Sequence, residues 1–91
     1  MSTKKPKTWF FVEVTDTFGG EANYSWVRRY KLLAVSLKGA QLKMTREEGN
    51  GWTKVLDSGD MQRWDSASSC TCMFIEDYDT DKHGKLTCNE L

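Results

Sequence analysis

The sequence predicts a single α+β domain, an antiparallel sheet of about five strands with one helix packed on a face. Three observations support this fold class. A ribbon rich in strand-forming residues runs from Trp9 to Leu32, one amphipathic segment follows it, and short apolar runs separated by turns fill the second half. With 91 residues, the chain is long enough for one hydrophobic core and too short for two.

The first two strands are predicted to form a hairpin. Residues 9–14 are aromatic or β-branched at nearly every position, which favours a strand, and Gly19 and Gly20 can adopt the positive φ angles of a tight reversal. The returning strand alternates with period two, which places five large side chains on one face: Tyr24, Trp26, Arg28, Tyr30 and Leu32. We expect Trp26 to be partly or wholly buried against the following helix, through Leu37, Ala40 or Met44.

The helix is predicted to begin after an N-cap at Ser36 and to end at Gly49, with Leu37, Ala40 and Met44 at helical spacing. Residues 52–56 and 61–64 then read as two short strands around a turn at 57–60. The apolar run at 69–76 fits a central strand or a short buried helix, and its periodicity does not distinguish the two. The predicted order is strand, strand, helix, strand, strand, strand.

Composition and charge narrow the class of protein. Residues 1–8 are expected to form a flexible basic arm in front of a domain spanning 9–91. The net charge is zero, but the first 46 residues carry nine basic and three acidic side chains, whereas the rest carry four and ten. Neither a signal peptide nor a membrane span is apparent, so we expect a cytoplasmic protein with reduced thiols. A single His and no nucleophile or phosphate-loop motif argue against an enzyme, and no cofactor is expected.

Residues 79–90 resemble the calcium loop of an EF-hand, with acidic residues at the first, third and twelfth positions and Gly at the sixth. The candidate ligands are Asp79, Asp81, His83, Lys85 and Glu90. A His nitrogen is a poor donor to Ca²⁺, and the 91 residues leave no room for the exiting helix that normally holds the last Glu. We therefore expect no bound metal, with a calcium-binding protein as the alternative.

The sequence offers two further candidate binding sites, and for each of them ordinary packing of the same residues is the alternative. Cys70, Cys72, His83 and Cys88 could form a zinc site, but structural zinc sites use wider Cys spacing than Cys-x-Cys, so we expect free thiols. The aromatic and Arg stripe of the second strand could stack and bind single-stranded nucleic acid. A domain this small needs such aromatic side chains for its core, so nucleic-acid binding is a further alternative.

The stretch from Asp16 to Arg29, together with residues 38–40, 58–60 and 83–84, resembles small single-domain proteins encoded by bacteriophages, plasmids and integron gene cassettes. The resemblance implies a setting and no assigned function. Small proteins of mobile elements often act by binding a host or rival protein, so we expect a non-enzymatic protein-interaction module, an inhibitor or adaptor acting on host or defence machinery. The expected partner is another protein, with a homodimer left open. The residues that we predict to carry the interaction are Phe18, Glu21, Tyr24, Trp26, Arg28 and Tyr30.

Overall fold

The computed structural model describes residues 6–66 and 69–91 and contains a six-stranded mixed sheet with two helices. The strand order across the sheet is β3-β4-β5-β1-β2-β6. The α+β class is confirmed, although the sheet has one strand more than predicted and there is a second, short helix. The elements are β1 (Thr8–Phe18), β2 (Glu21–Ala34), α1 (Leu37–Glu48), β3 (Thr53–Asp57), β4 (Met61–Ser66), β5 (Thr71–Asp77), α2 (Thr80–His83) and β6 (Asn89–Glu90).

The predicted hairpin forms the centre of the sheet. β1 pairs antiparallel with β2 on one side and with β5 on the other, so that Val12 lies opposite both Tyr30 and Ile75. Strand β1 begins at Thr8, which corrects the predicted boundary of the basic arm by one residue, and residues 1–5 of that arm lie outside the described residues. The turn uses Gly19 and Gly20 at positive φ, as the sequence indicates.

Helix α1 covers one face of this central region, which we call the helix face. The Ser36 hydroxyl caps the helix by accepting a hydrogen bond from the Gly39 N–H, and Gly49 ends it. Ala40 and Met44 point into the core, where the alternating inward side chains of β1, β2 and β5 meet them. That buried cluster consists of Phe10, Val12, Val14, Tyr30, Leu32, Ala34, Ala40, Met44, Met73 and Ile75.

The second half of the chain adds a three-stranded meander to the hairpin. The segment that was ambiguous between strand and helix is the strand β5, which is hydrogen-bonded on both sides, to β1 and to β4. A strand buried between two neighbours explains why the run is apolar at nearly every position. The outermost strand, β3, has no buried residue and contains an irregularity at Val55.

The C-terminal segment lies on the opposite face of the sheet, which we call the open face. Helix α2 places the ring of His83 parallel to that of Phe11, with the ring centroids 4.0 Å apart. Strand β6 then pairs in parallel with β2 at Tyr30 and Lys31. The sequence reading predicted neither element, because each is only a few polar residues long. Among the described residues, no helix is long and apolar enough to cross a membrane.

Candidate interaction surface

The hairpin contains a large bulge close to its turn. Thr15 pairs with Val27 and Thr17 pairs with Ala22, so that four residues of β2, 23–26, lie opposite the single residue Asp16. A bulge of this kind breaks the alternation of side chains along the strand. We call residues 15–27, which contain the bulge and the turn, the hairpin end.

Two side chains of β1 hold the bulge by hydrogen-bonding to the backbone that the sheet leaves unpaired. The Thr15 hydroxyl donates to the Trp26 carbonyl (2.8 Å) and accepts from the Tyr24 N–H (3.0 Å). The Asp16 carboxylate accepts from the Ser25 N–H (2.9 Å) and from the Asn23 amide (2.8 Å). These bonds from Ser25 and Asn23 lower the pKa of Asp16 well below its ordinary value. The bulge is therefore a defined structure held by an ionised carboxylate.

Within the bulge, Tyr24 adopts a left-handed backbone conformation with φ of 56°. This region is unfavourable for a residue with a side chain, so the surrounding contacts must impose it. The Tyr24 side chain is 53% exposed. Its pKa is raised because partial burial removes water from the hydroxyl and because the Glu13 carboxylate lies nearby. Glu13 alternates with the core residues Val12 and Val14, so its own side chain lies on the open face.

Trp26 lies at the edge of the helix face, beside an Arg28 side chain that pairs with Glu48 of α1. The Arg28 guanidinium sits 4.3 Å from the centre of its ring, a cation–π contact. Arg28 is held in turn by two hydrogen bonds to the Glu48 carboxylate at the end of α1, at 3.1 and 2.6 Å. Trp26 is 36% exposed and is not part of the buried cluster. Of the two outcomes predicted for Trp26, partial or complete burial against the helix, complete burial is not observed.

Glu48 also accepts a hydrogen bond from the Tyr30 hydroxyl at 2.5 Å. Burial acts to raise the pKa of Glu48, but the hydrogen bonds from Arg28 and Tyr30 outweigh it and lower the pKa below its ordinary value. Burial and the neighbouring Glu48 together raise the pKa of Tyr30 to about 12. The cluster ties the end of the helix to the base of the hairpin end.

The tip of the hairpin carries the most exposed aromatic side chain. Phe18 is 81% exposed, and its partner across the turn, Glu21, is also exposed. The ladder between β1 and β5 ends at Asp16, and one further backbone hydrogen bond joins the Thr17 N–H to the Cys70 carbonyl at 2.8 Å. The Arg63 guanidinium of β4 donates to the Gly20 carbonyl at 2.8 Å, which ties the turn to β4.

The six predicted interaction residues thus fall into three groups. Phe18, Glu21 and Tyr24 are exposed on the hairpin end, and Trp26 and Arg28 form a half-exposed stacked pair beside it. Tyr30 is only 4% exposed and belongs to the core, so it is removed from the set. Period-two reasoning found most of the surface but missed Thr15 and Asp16, which hold it together.

The proposed stacking platform for nucleic acid does not form as one stripe. Tyr24 and Trp26 both lie in the bulge, where the alternation of side chains is broken, Tyr30 is buried, and the Arg28 guanidinium is engaged by Glu48. A platform needs exposed rings on one face and cationic groups available to phosphate. The described residues of β2 do not provide that arrangement, which corrects the stripe predicted from the sequence.

The residues of the predicted calcium loop have other roles in the structure. Asp79 caps α2 by accepting from the Asp81 and Lys82 N–H groups. The buried His83 accepts from the Asp79 N–H through Nδ1 (2.9 Å), so its Nε2 carries the proton and faces Glu76 (2.9 Å). Glu90 lies in β6, and Lys85 is exposed. An EF-hand loop is therefore not formed, which corrects the calcium alternative.

The four candidate zinc ligands differ in how exposed and how engaged their side chains are. Cys70 is exposed, Cys72 is buried in β5 and Cys88 is half-buried near β6, while both nitrogens of His83 are used in hydrogen bonds. Burial raises the pKa of the Cys72 and Cys88 thiols, which disfavours the thiolate that a metal requires. Across residues 6–66 and 69–91, no three His, Cys, Asp or Glu side chains are grouped to hold a metal ion.

Comparison with protein-family models, with curated proteins and with solved structures gave no match for this chain. The resemblance to proteins of mobile elements therefore stays a prediction from sequence motifs.

Proposed function

We propose that this chain is a small non-enzymatic protein-interaction module that binds its partner through the hairpin end. The observation that carries the proposal is the exposure of Phe18, at 81%, at the tip of a hairpin end whose bulge is held by side-chain hydrogen bonds. Solvent-facing aromatic side chains in a fixed arrangement are typical of the residues that contribute most to protein–protein binding.

Pre-organisation strengthens the proposal. A flexible loop loses conformational entropy when it binds, and this loss reduces the affinity. In the hairpin end, Thr15 and Asp16 already hold the backbone of Tyr24 and Ser25, and Arg63 holds Gly20. Little further ordering of these residues is needed on binding, so more of the contact energy becomes affinity.

The other exposed apolar side chains are weaker candidates for a partner-binding surface. Leu42 is a single residue on the outer surface of α1, and isolated exposed aliphatic residues are ordinary. Val55 and Leu56 lie on the edge strand β3, where the irregularity at Val55 and the charge of Lys54 protect against pairing with another strand. Of these surfaces, the hairpin end alone combines several aromatic residues with a fixed backbone.

We further propose, from the motif resemblance, that the partner is a host or defence protein of a cell carrying a mobile element, met in the cytoplasm. Inhibitor and adaptor are the two modes of action that follow. Both modes require a surface that binds the partner without catalysing a reaction.

Site-specific photo-crosslinking tests the proposal. Benzoylphenylalanine is placed at position 18 or, as a matched control, at position 42, which is 54% exposed on α1. In lysate of the cells that carry the gene, we expect position 18 to form an adduct with one defined protein. Wild-type chain should compete this adduct away, and Phe18→Ser chain should need at least about a tenfold higher concentration to do so. Equal adducts from both positions, or none from position 18, would contradict the proposal.

A further inference from the structure

We propose that the end of the sheet opposite the hairpin end is a second binding site, which takes a basic protein segment by holding a lysine side chain against the rings of Trp9 and Tyr78. The site goes beyond the proposed function, because β1 runs from Thr8 at this end to Phe18 at the tip of the hairpin. At about 3.3 Å per residue, the two sites lie about 30 Å apart along the strand and can be occupied together.

The two rings already hold an ammonium group of the chain itself. Lys31 Nζ lies 4.6 Å from the centre of the Trp9 ring and 4.4 Å from the centre of the Tyr78 ring. Among the described residues, no carboxylate pairs with this ammonium, so the rings are the groups that stabilise its charge. A cation is attracted by the negative face of an aromatic ring. The pair therefore has the spacing and the electrostatics to hold an alkylammonium group.

The sheet fixes the two rings in place. The Tyr78 N–H donates to the Trp9 carbonyl at 3.0 Å, one bond beyond the last paired residues of β1 and β5. The Tyr78 ring also contacts the ring of His83, with 5.5 Å between the centroids, and His83 is stacked on Phe11. Trp9 and Tyr78 are only half-buried, so part of each ring is open to a ligand. Little ordering of these side chains is needed on binding, which favours affinity.

A hollow of about 440 Å³ lies beside the rings. Its walls are two threonines, the two aromatic residues and one acidic residue, namely Thr8, Thr80, Trp9, Tyr78 and Asp77. Asp77 is exposed and, within the described part of the chain, its carboxylate makes no hydrogen bond or ion pair. A lysine side chain that enters the hollow can lay its aliphatic stem on the rings and pair its ammonium with Asp77.

The charge around the hollow favours a segment with a second basic residue. Asp77 is also a wall of a neighbouring hollow of about 390 Å³, whose other charged walls are Asp60, Glu76, Asp79 and Lys82. The two hollows together thus have four carboxylates and one ammonium in their walls. The surroundings stay negative when Lys31 is included. This charge attracts a basic segment and repels acidic segments and phosphates.

The test follows backbone and indole N–H signals of the nitrogen-15-labelled chain by NMR. The probe is an acetylated and amidated peptide of alternating lysine and glycine, added up to about 5 mM, a range that detects weak binding. We expect the Trp9 indole and the amides of residues 77–80 to shift. The same peptide with every lysine acetylated, which removes the charge, should leave them in place. Equal shifts from the acetylated peptide, or shifts spread over the whole surface, would overturn the site.

Two other occupants would be visible in the same spectra. The sequence places Lys4 and Lys5 shortly before Thr8. If Lys4→Gln and Lys5→Gln together shift the Trp9 indole signal in the absence of peptide, the chain's own arm is the occupant and the proposed partner segment is wrong. If dilution of the chain alone shifts this signal, a second copy is the occupant and the proposal fails as well.

Two substitutions with opposite expected effects test the carboxylate and the rings. Asp77→Asn should weaken peptide binding about fivefold, because it removes the one carboxylate of the hollow beside the rings. Lys31→Met should tighten binding about threefold, because it removes the competing ammonium from the rings and keeps an aliphatic stem. Glu47→Gln, which changes an exposed carboxylate on α1, is the control and should bind as the wild type does. Wild-type affinity in Asp77→Asn, or weaker binding in Lys31→Met, would overturn the proposal.

Discussion

Asp16 is the residue on which the shape of the hairpin end depends most. Its carboxylate accepts from the Ser25 N–H and the Asn23 amide, two donors that face it across the bulge. Because its pKa is lower in the folded chain than in the unfolded one, the ionised group favours folding. This contribution is complete above the ordinary pKa of 3.8 and is lost as the pH falls toward the lower folded value.

The effect of pH on the stability of the Asp16→Asn variant follows from the lower pKa of Asp16 in the folded chain. We expect the variant to melt below the wild type at about pH 6 and the gap between the two to narrow below about pH 4, where the unfolded carboxyl of the wild type takes up its proton. Circular dichroism melts across this range measure the gap, with Glu47→Gln as the control. A gap that stays constant from neutral to acid pH would contradict the role given to the charge.

The same residues show what the sequence could and could not predict at this scale. The turn at Gly19 and Gly20 and the exposure of Phe18 follow from residue types and period, but the positions of Tyr24 and Trp26 do not. Period-two reasoning assumes an unbroken backbone ladder. In the bulge, Thr15 and Asp16 replace that ladder with side-chain bonds, a substitution that depends on the register of two strands.

At the scale of elements, His83 anchors the C-terminal segment to the open face. Its ring stacks on Phe11, and its two nitrogens bond to the Asp79 N–H and the Glu76 carboxylate. Beyond it, β6 pairs with β2 over only two residues. A segment with so few backbone bonds depends on its side-chain anchor.

We therefore expect His83→Ala to release residues 80–91 and to destabilise the fold by about 2–3 kcal/mol, because it removes a buried ring and leaves polar partners unpaired. Hydrogen exchange with mass spectrometry should show faster exchange in peptides covering 80–91, with β1 little changed. Lys85→Ala, at an exposed position of the same segment, is the control. Unchanged exchange in 80–91 would show that His83 does not hold the segment.

Elements differ in how strongly the sequence specifies them. Helix α1 was predictable because Ser36, the spacing of Ala40 and Met44, and Gly49 are all local signals. The strand identity of β5 was not predictable, because an apolar run fits a strand or a buried helix and only its pairing with β1 and β4 decides between them. Strand β6 has no pattern of its own and exists through its pairing with β2.

At the scale of the whole molecule, one core joins the two halves of the chain. The basic first half supplies the central strands β1 and β2, which lie between β5 and β6 of the acidic second half. The halves are therefore interleaved in the sheet, and the Arg28–Glu48 ion pair joins them. Ile75, fully buried opposite Val12, lies where the halves meet.

A single shared core predicts cooperative unfolding. We expect far-ultraviolet circular dichroism and tryptophan fluorescence to give the same denaturant midpoint. Ile75→Ala should lower both midpoints together, by the equivalent of about 2–5 kcal/mol in the free energy of unfolding. The conservative Ile75→Val should cost about 0.5–1.5 kcal/mol. Two separate transitions in the wild type would mean that the halves unfold independently.

The central claim is that the hairpin end binds the partner, and Phe18 tests it most directly because truncating it should not disturb the fold. At 81% exposure, Phe18→Ser should change stability by no more than about 0.5 kcal/mol. The measurement is titration calorimetry of wild type, Phe18→Ser and Leu42→Ser with the purified crosslinked partner. We expect Phe18→Ser to weaken binding at least about tenfold, or about 1.4 kcal/mol, and Leu42→Ser to bind as the wild type does. Wild-type affinity in Phe18→Ser together with lost affinity in Leu42→Ser would contradict the claim and move the binding surface to α1.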